Sequence, residues 1–276
     1  MNILRCGRFR LELTRPLIMG VVNVTPDSFS DGGRYASRDA AVAHAERLVA
    51  EGADLLDIGG ESSRPGADPV AVAAELDRVL PVVEAVAALG VPVSVDTVKP
   101  EVMRAAIGAG AAMINDINAL RAPGAVEALA PAGVGVCLMH MQGEPRTMQQ
   151  DPHYQDVVAE VMAFLAGRVA ALAAAGVGRD RVVVDPGFGF GKTFEHNLAL
   201  LGRLPAFRAL GVPLLAGMSR KSMLGKITGR ETGGRLHASV AAAMWAAEHG
   251  AAIVRVHDVA ATRDALAVLA AASPRA

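Results

Sequence analysis

Short apolar runs recur along the chain at 17–24, 55–59, 92–95, 113–116, 134–140, 181–185, 213–218 and 253–256. A run that is apolar at successive positions, without alternation, suits a strand covered on both faces, which is the condition of a parallel strand. Between these runs lie Ala-rich segments with helical spacing, at 37–51, 69–89, 100–108, 123–129, 154–174, 194–209, 234–249 and 261–272, and several of them end on Gly, as helix termini often do. Eight strand–helix units in 276 residues predict an α/β chain folded as a (β/α)8 TIM barrel. A doubly wound sheet usually has fewer strands. Residues 3–13 read as a β-hairpin that closes the bottom of the barrel before the first barrel strand. No linker or low-complexity tract interrupts the pattern, so residues 1–276 are expected to form one domain.

With 52% hydrophobic and 20% charged residues, such a chain can bury one large core without the composition of a membrane protein. The 27 Lys+Arg against 28 Asp+Glu leave a formal charge of -1, so no global positive field is available to hold nucleic acid or an anionic membrane. Any anion must be bound locally. The first residues, Met1 to Cys6, lack a charged n-region, an apolar run and a cleavage site, and no apolar stretch is read as a membrane span. A cytoplasmic location is the expectation. Cys6 and Cys137 are too few for a disulfide framework, and neither is given a catalytic or metal role.

In a (β/α)8 barrel the active site is built at the C-terminal strand ends and the loops that follow. The polar residues fall there: Asn23, Asp57 and Glu61, Asp96, Asn115 and Asp116, His140, Asp185, Lys221, Arg255 and His257. Asp96, Asn115 and Asp185 offer carboxylate and amide groups to a heterocycle with a row of N–H donors, and Lys221 adds a cationic donor for a ring carbonyl or nitrogen. Helix caps and local ion pairs are the plain alternative for each residue alone. Arg255 and His257, two apart, project to one face of an extended strand and suit a phosphate, while Asn23 offers a hard oxygen to Mg²⁺. A pair between Arg255 and Asp258, or another acid, is the alternative there.

The run 185–193 lacks the spacing of a nucleotide phosphate loop. Its glycines are read as letting the backbone approach a flat ligand on which Phe190 stacks. Ser222, at the start of a short helical stretch, can receive a carboxylate or simply cap the helix. Two long loops, 25–36 and 62–68, have the length and glycine content of lids or binding loops, with a disordered connection as the alternative.

The segments Asn23-Val-Thr-Pro-Asp-Ser-Phe-Ser-Asp-Gly-Gly33, Asp57-Ile-Gly-Gly-Glu-Ser-Ser-Arg-Pro-Gly66, Ser94-Val-Asp-Thr97, Asn115-Asp-Ile117, Asp185-Pro-Gly-Phe-Gly-Phe-Gly-Lys-Thr193, Ser219-Arg-Lys221 and Arg255-Val-His-Asp258 resemble the dihydropteroate synthase family in order and spacing. The resemblance covers essentially the whole chain. One departure is Ser63, where the family more often has Thr, which keeps the hydroxyl and removes a methyl.

The resemblance implies condensation of p-aminobenzoate with a dihydropterin diphosphate, with Mg²⁺ as cofactor, sulfonamides as competitive inhibitors and a homodimeric assembly. By it, Asp96, Asn115, Asp185 and Lys221 hold the pterin, and Asn23, Ser63, Arg255 and His257 the diphosphate, with Asn23 on the metal. Ser63, Arg64, Pro65, Phe190, Lys221 and Ser222 surround p-aminobenzoate. Asp31 and Phe29 lie on the first loop near the reacting carbon, and Asp31, Lys221, Arg255 and His257 form the catalytic set. Pterin-dependent methyltransferases share the pterin positions but have no evident use for Arg255, His257 and Ser219-Arg-Lys221 together. A noncatalytic pterin-binding relative would have been free to lose Asn23, Asp31, Arg64, Lys221 or Arg255. A Schiff-base aldolase is the weakest alternative, with Lys221 activated by neighbouring Arg220. Glu61, His140 and His237 carry no assignment.

Overall fold

The computed structural model describes residues 2–25 and 33–272, without the side chains of 33–37. Strands β1 (Ile3–Cys6) and β2 (Phe9–Glu12) form an antiparallel hairpin. Eight parallel strands follow: β3 (Leu17–Asn23), β4 (Leu55–Gly59), β5 (Val93–Asp96), β6 (Met113–Asp116), β7 (Gly135–Met139), β8 (Val182–Asp185), β9 (Leu214–Ala216) and β10 (Ala251–Val256). They close into a barrel in chain order, with β10 pairing both β3 and β9. Around them lie α1 (Gly33–Glu51), α2 (Val72–Val86), α3 (Pro100–Gly108), α4 (Ala125–Leu129), α5 (Val157–Ala174), α6 (Phe194–Gly202), α7 (Ser222–Thr228), α8 (Leu236–Glu248) and α9 (Val259–Ala272).

The two-residue period of a strand divides the core in two. Leu17, Met19, Leu55, Met113, Cys137, Val183, Leu215 and Ile253 point inward and pack with Leu4 and Cys6 of the hairpin. Their neighbours Ile18, Leu56, Ile114, Val136, Val182, Val184, Leu214 and Val254 point outward into the apolar faces of the helices. The hairpin plugs the lower end of the barrel because Gly135 has no side chain: a Cβ there would lie 2.7 Å from Cys6 Sγ. The expected closure of the barrel bottom is therefore a packing contact.

The differences from the sequence reading have local causes. The segment 194–209 is not one helix: α6 stops at Gly202, and Leu204–Leu210 is a 3-10 helix, since Pro205 supplies no N–H to continue the α ladder. Asp156 accepts from the backbone N–H of Val158 and Ala159 and starts α5 at Val157 rather than at 154. Helix α5 is, by length and composition alone, apolar enough to cross a membrane, contrary to the expectation that no segment would be. It instead lies against the barrel, burying Val158, Val161, Leu165, Val169 and Leu172.

Candidate active site

One step of alternation above the inner apolar layer, the same strand faces turn polar. Leu55 is followed inward by Asp57, Met113 by Asn115, Val183 by Asp185, Leu215 by Gly217 and Ile253 by Arg255. Ladder pairing sets Gly59 beside Asp96, Asp96 beside Asn115, and Met139 beside Asp185. The chemistry is thus the top layer of the barrel interior.

Arg255 organises this layer. Its Nε donates to Asp57 Oδ2 at 2.6 Å and its Nη2 to Asp96 Oδ2 at 3.3 Å. Asn115 Nδ2 donates to the same Asp57 oxygen at 3.0 Å. Arg255, Asp96 and Asn115 therefore belong to one network, in which Asp57 links Arg255 to Asn115. Asp57 is completely buried, and the sequence reading assigns it no role. Of the alternative that Arg255 pairs with Asp258 or another acid, the second half holds: its acids are Asp57 and Asp96, while Asp258 takes Arg220 at 2.6 Å. No hydrogen bond joins Arg255 Nη1 to another described residue.

Burial, and then repulsion from Asp57, push the Asp96 carboxyl up to about 7 against the opposing pull of Arg255. Burial also lifts Asp185, partly offset by Lys221 and by the Gly187 N–H, which donates to Oδ1 at 2.7 Å. Asp185 Oδ2 looks toward Gly217, where a Cβ would lie 3.8 Å from it and 3.7 Å from Arg255 Cβ, so this glycine leaves the space between the two residues open. Burial, assisted by Arg255, brings the Lys221 ammonium down to about 8 while Asp185 holds it up. Arg220 is not the cause, because its left-handed backbone, φ 61°, turns its side chain to Asp258. Lys221 Nζ donates to Phe188 O and stands 4.7 Å from the centroid of Phe190.

Phe190 packs with Val98, Ile117, Met139, Met141 and Met148, an apolar wall beside the polar groups that the sequence reading missed except for Phe190. Met139 at least was legible, because it lies two residues beyond inward-facing Cys137.

The glycines of 187–191 do something other than expected. Gly187 and Gly191 have φ of 70° and 60°, and a Cβ would meet His140 O at 2.0 Å and Gln142 O at 2.3 Å respectively. They let this loop press on the backbone beyond β7, and only Gly189 faces the Lys221 stem. Buried Lys192 ties the loop down by donating to Gly187 O and Phe190 O, both at 2.9 Å, and to His140 O at 3.2 Å. Burial and Lys192 bring His140 down to about 3, so it is a neutral structural residue. His237 is exposed on α8, and Glu61 pairs with Lys99.

His257 continues the inward alternation of β10. Its backbone N–H donates to Ser219 Oγ at 3.2 Å, and its Nδ1 lies 2.9 Å from the same oxygen. Burial and the adjacent Arg255 and Arg220 bring the imidazole down to about 4. It is a neutral hydrogen-bonding group at pH 7, not a cation. Asn23, half-buried at the end of β3, has no side-chain hydrogen bond among the described residues. Neither do those residues contain a group of three or more His, Cys, Asp or Glu placed to hold a metal. Among the described residues the donor set forms no metal cage of its own, and Asn23 is the residue that would offer an amide oxygen to Mg²⁺.

On the loop after β4, Ser63 is half-buried while Arg64 and Pro65 are exposed. Ser222 is exposed as the first residue of α7, and Lys221 occupies the cap position, so the simple cap reading of Ser222 fails. Asp31 and Phe29 lie outside the described residues.

Residues 19–257 match the family described as pterin binding enzyme. The dihydropteroate synthase of Neisseria meningitidis serogroup C is 54% identical over 96% of this chain and 95% of its own. Among solved structures, the Xanthomonas albilineans dihydropteroate synthase with 4-aminobenzoic acid superposes at a TM-score of 0.93, with 56% identity over 99% of both chains. The Burkholderia cenocepacia dihydropteroate synthase complexed with 7,8-dihydropteroate gives 0.90 and 56% over 98% of this chain and 95% of its own.

Proposed function

Because the chain belongs to the dihydropteroate synthase family of pterin-binding enzymes, it condenses p-aminobenzoate with 6-hydroxymethyl-7,8-dihydropterin diphosphate, giving 7,8-dihydropteroate and pyrophosphate, and we propose that the carbon–oxygen bond to diphosphate breaks before the amine attacks. The observation that carries this reading is the double anchoring of Arg255. Asp57 and Asp96 take Nε and Nη2, and Nη1 remains to meet the leaving group without breaking either pair.

Asp96, Asn115 and Asp185 receive the N–H edge of the pterin, and Lys221, protonated below about 8, donates to it. Charge then builds on the departing oxygens, and a preorganised guanidinium stabilises it at little cost in reorganisation. His257, neutral and oriented by Ser219, adds a hydrogen bond, and Asn23 and Ser63 complete the set that receives the diphosphate. Mg²⁺, when bound, supplies Lewis-acid stabilisation of the diphosphate. The electron pair of the broken bond leaves with pyrophosphate, and the methylene carbon, conjugated with the ring, carries the positive charge. Asp31 offsets that charge. The aniline nitrogen attacks and then loses its proton, so no covalent enzyme intermediate forms.

Ser63, Arg64, Pro65, Phe190 and Ser222 receive p-aminobenzoate, and sulfonamides compete for the same place. The exposed apolar side chains Ile227, Leu236, Met244 and Trp245 on α7 and α8 support a homodimer. The test of bond order is pyrophosphate release with the pterin diphosphate and Mg²⁺ in the absence of p-aminobenzoate. Slow release with trapping of the pterin methylene by water or an added thiol is expected. Complete dependence of release on p-aminobenzoate, with rate varying with amine basicity, would refute it.

A further inference from the structure

The loop after β4 starts from a buried ion cluster that shares no hydrogen bond with the pocket residues, although Glu75 adds to the repulsion on Asp96. Lys99 Nζ donates to both Glu61 and Glu75. Glu75, on α2, has a side chain 0% exposed, against 17% for Lys99 and 22% for Glu61. Lys99 lies between β5 and α3, so one ammonium joins that corner, α2 and the end of β4. Two carboxylates share one cation, and Glu75 Oε1 has no partner. Burial pulls the Lys99 ammonium down, yet the hydrogen bonds it donates to both glutamates hold it above its ordinary value. A buried cluster with an unbalanced charge is a poor source of stability, which directs attention to what it holds in place.

It holds the root of a loop. Just before Glu61, Gly60 O accepts from Arg78 Nη1 at 2.9 Å, and a Cβ on Gly60 would lie 2.5 Å from Val79 Cγ2, so the backbone there is pressed onto α2. At the far side, Gly66 N donates to Pro145 O at 3.1 Å. Residues 62–65 span two fixed points, and Lys99 sets the first through Glu61.

We propose that Lys99, backed by Glu75, is a positioning residue for p-aminobenzoate: by holding Glu61 it fixes the course on which Ser63, Arg64 and Pro65 reach the second substrate. Lys99 touches no substrate itself, and the proposal rests on the reading that this loop receives p-aminobenzoate. The β5–α3 corner that carries it begins just after Asp96, so the pterin group and the loop anchor share one support.

The test is steady-state kinetics on Glu61→Gln, Lys99→Met and Lys99→Arg, with KM measured separately for p-aminobenzoate and the pterin diphosphate and a thermal melt for each protein. Glu61→Gln leaves the Lys99–Glu75 pair balanced and serves if Lys99→Met folds poorly. The expected result is a KM for p-aminobenzoate raised about tenfold, the value of one charged hydrogen bond. The KM for the pterin diphosphate stays within about twofold, and Lys99→Arg recovers most of the loss. A merely structural cluster would lower the melting temperature and move both KM values together or neither, which overturns the proposal. Ser63→Ala and Arg64→Ala separate the two readings. If these raise the KM for p-aminobenzoate while Glu61→Gln does not, the positioning role alone fails; if they leave it unchanged, the loop's assignment fails and the proposal with it.

Discussion

Arg255 and Asp57, from strands β10 and β4, meet across the barrel mouth at 2.6 Å through Nε and Oδ2, and the same carboxylate oxygen accepts from Asn115 at 3.0 Å. Asp57 thus joins Arg255, the proposed leaving-group residue, to Asn115, one of the proposed pterin residues. Asp57→Asn removes one charge from a buried pair, a change that typically costs about 3–5 kcal/mol. The expected outcome is a lower urea midpoint together with weaker pterin binding, read by equilibrium unfolding and by fluorescence titration of a pterin. Unchanged affinity in a folded Asp57→Asn protein would remove Asp57 from the site.

Lys221 gives a pH signature. Its folded value of about 8 lies below its ordinary value of 10.5, so it loses its proton, and with it the donor to the pterin, as pH rises through about 8. kcat/KM for the pterin diphosphate is expected to fall on that alkaline limb. Between about 8 and 10.5 the unfolded chain binds more protons at this lysine than the folded one, so its contribution to stability rises with pH. Activity and this lysine's own share of stability, read as the difference between wild type and Lys221→Met, are therefore expected to move in opposite directions there. Lys221→Met, assayed over the same range, should lack the limb.

Gly217 leaves open the space between Asp185 and Arg255, and a methyl there would sit in ordinary contact, 3.7–3.9 Å, with their atoms. Gly217→Ala should fold with little loss of stability and yet raise the KM for the pterin diphosphate by about tenfold or more. A KM near wild type would place the pterin elsewhere.

At the opposite end, Gly135→Ala tests the plug. Its Cβ would meet Cys6 Sγ at 2.7 Å and Arg5 O at 3.2 Å, so overpacking should cost about 1–3 kcal/mol in chemical denaturation while kcat stays near wild type. A stability equal to wild type would show that the hairpin yields freely.

The barrel was legible because fully apolar strand runs and helical spacing leave few other folds, and β4, β6 and α3 begin and end where the periodicity places them. The site was legible in its members because a barrel collects chemistry at strand ends, and alternation alone puts Asp96, Asn115, Asp185 and Arg255 on the inner face. What those residues do to one another was not. The Arg255–Asp57 pair joins positions 198 apart, and only the ladder register of the closed barrel brings them together. Gly187 and Gly191 were misread because local sequence says that a glycine is required, not whether a ligand or the backbone of His140 and Gln142 fills the space. Ser219 passed as part of a motif, since its contact with His257 runs between β9 and β10.

The most direct test of the account is pyrophosphate release from the pterin diphosphate with Mg²⁺ and p-aminobenzoate, compared between wild type and Arg255→Ala, with affinity for a pterin lacking the diphosphate measured on both. Removing a preorganised donor to the leaving group should lower kcat by about 10²-fold or more, well beyond any loss in affinity for the bare pterin. If Arg255→Ala instead kept kcat within about twofold and lost only pterin affinity, Arg255 would be a ground-state binding residue, and the coupling of the pterin network to diphosphate departure would be contradicted.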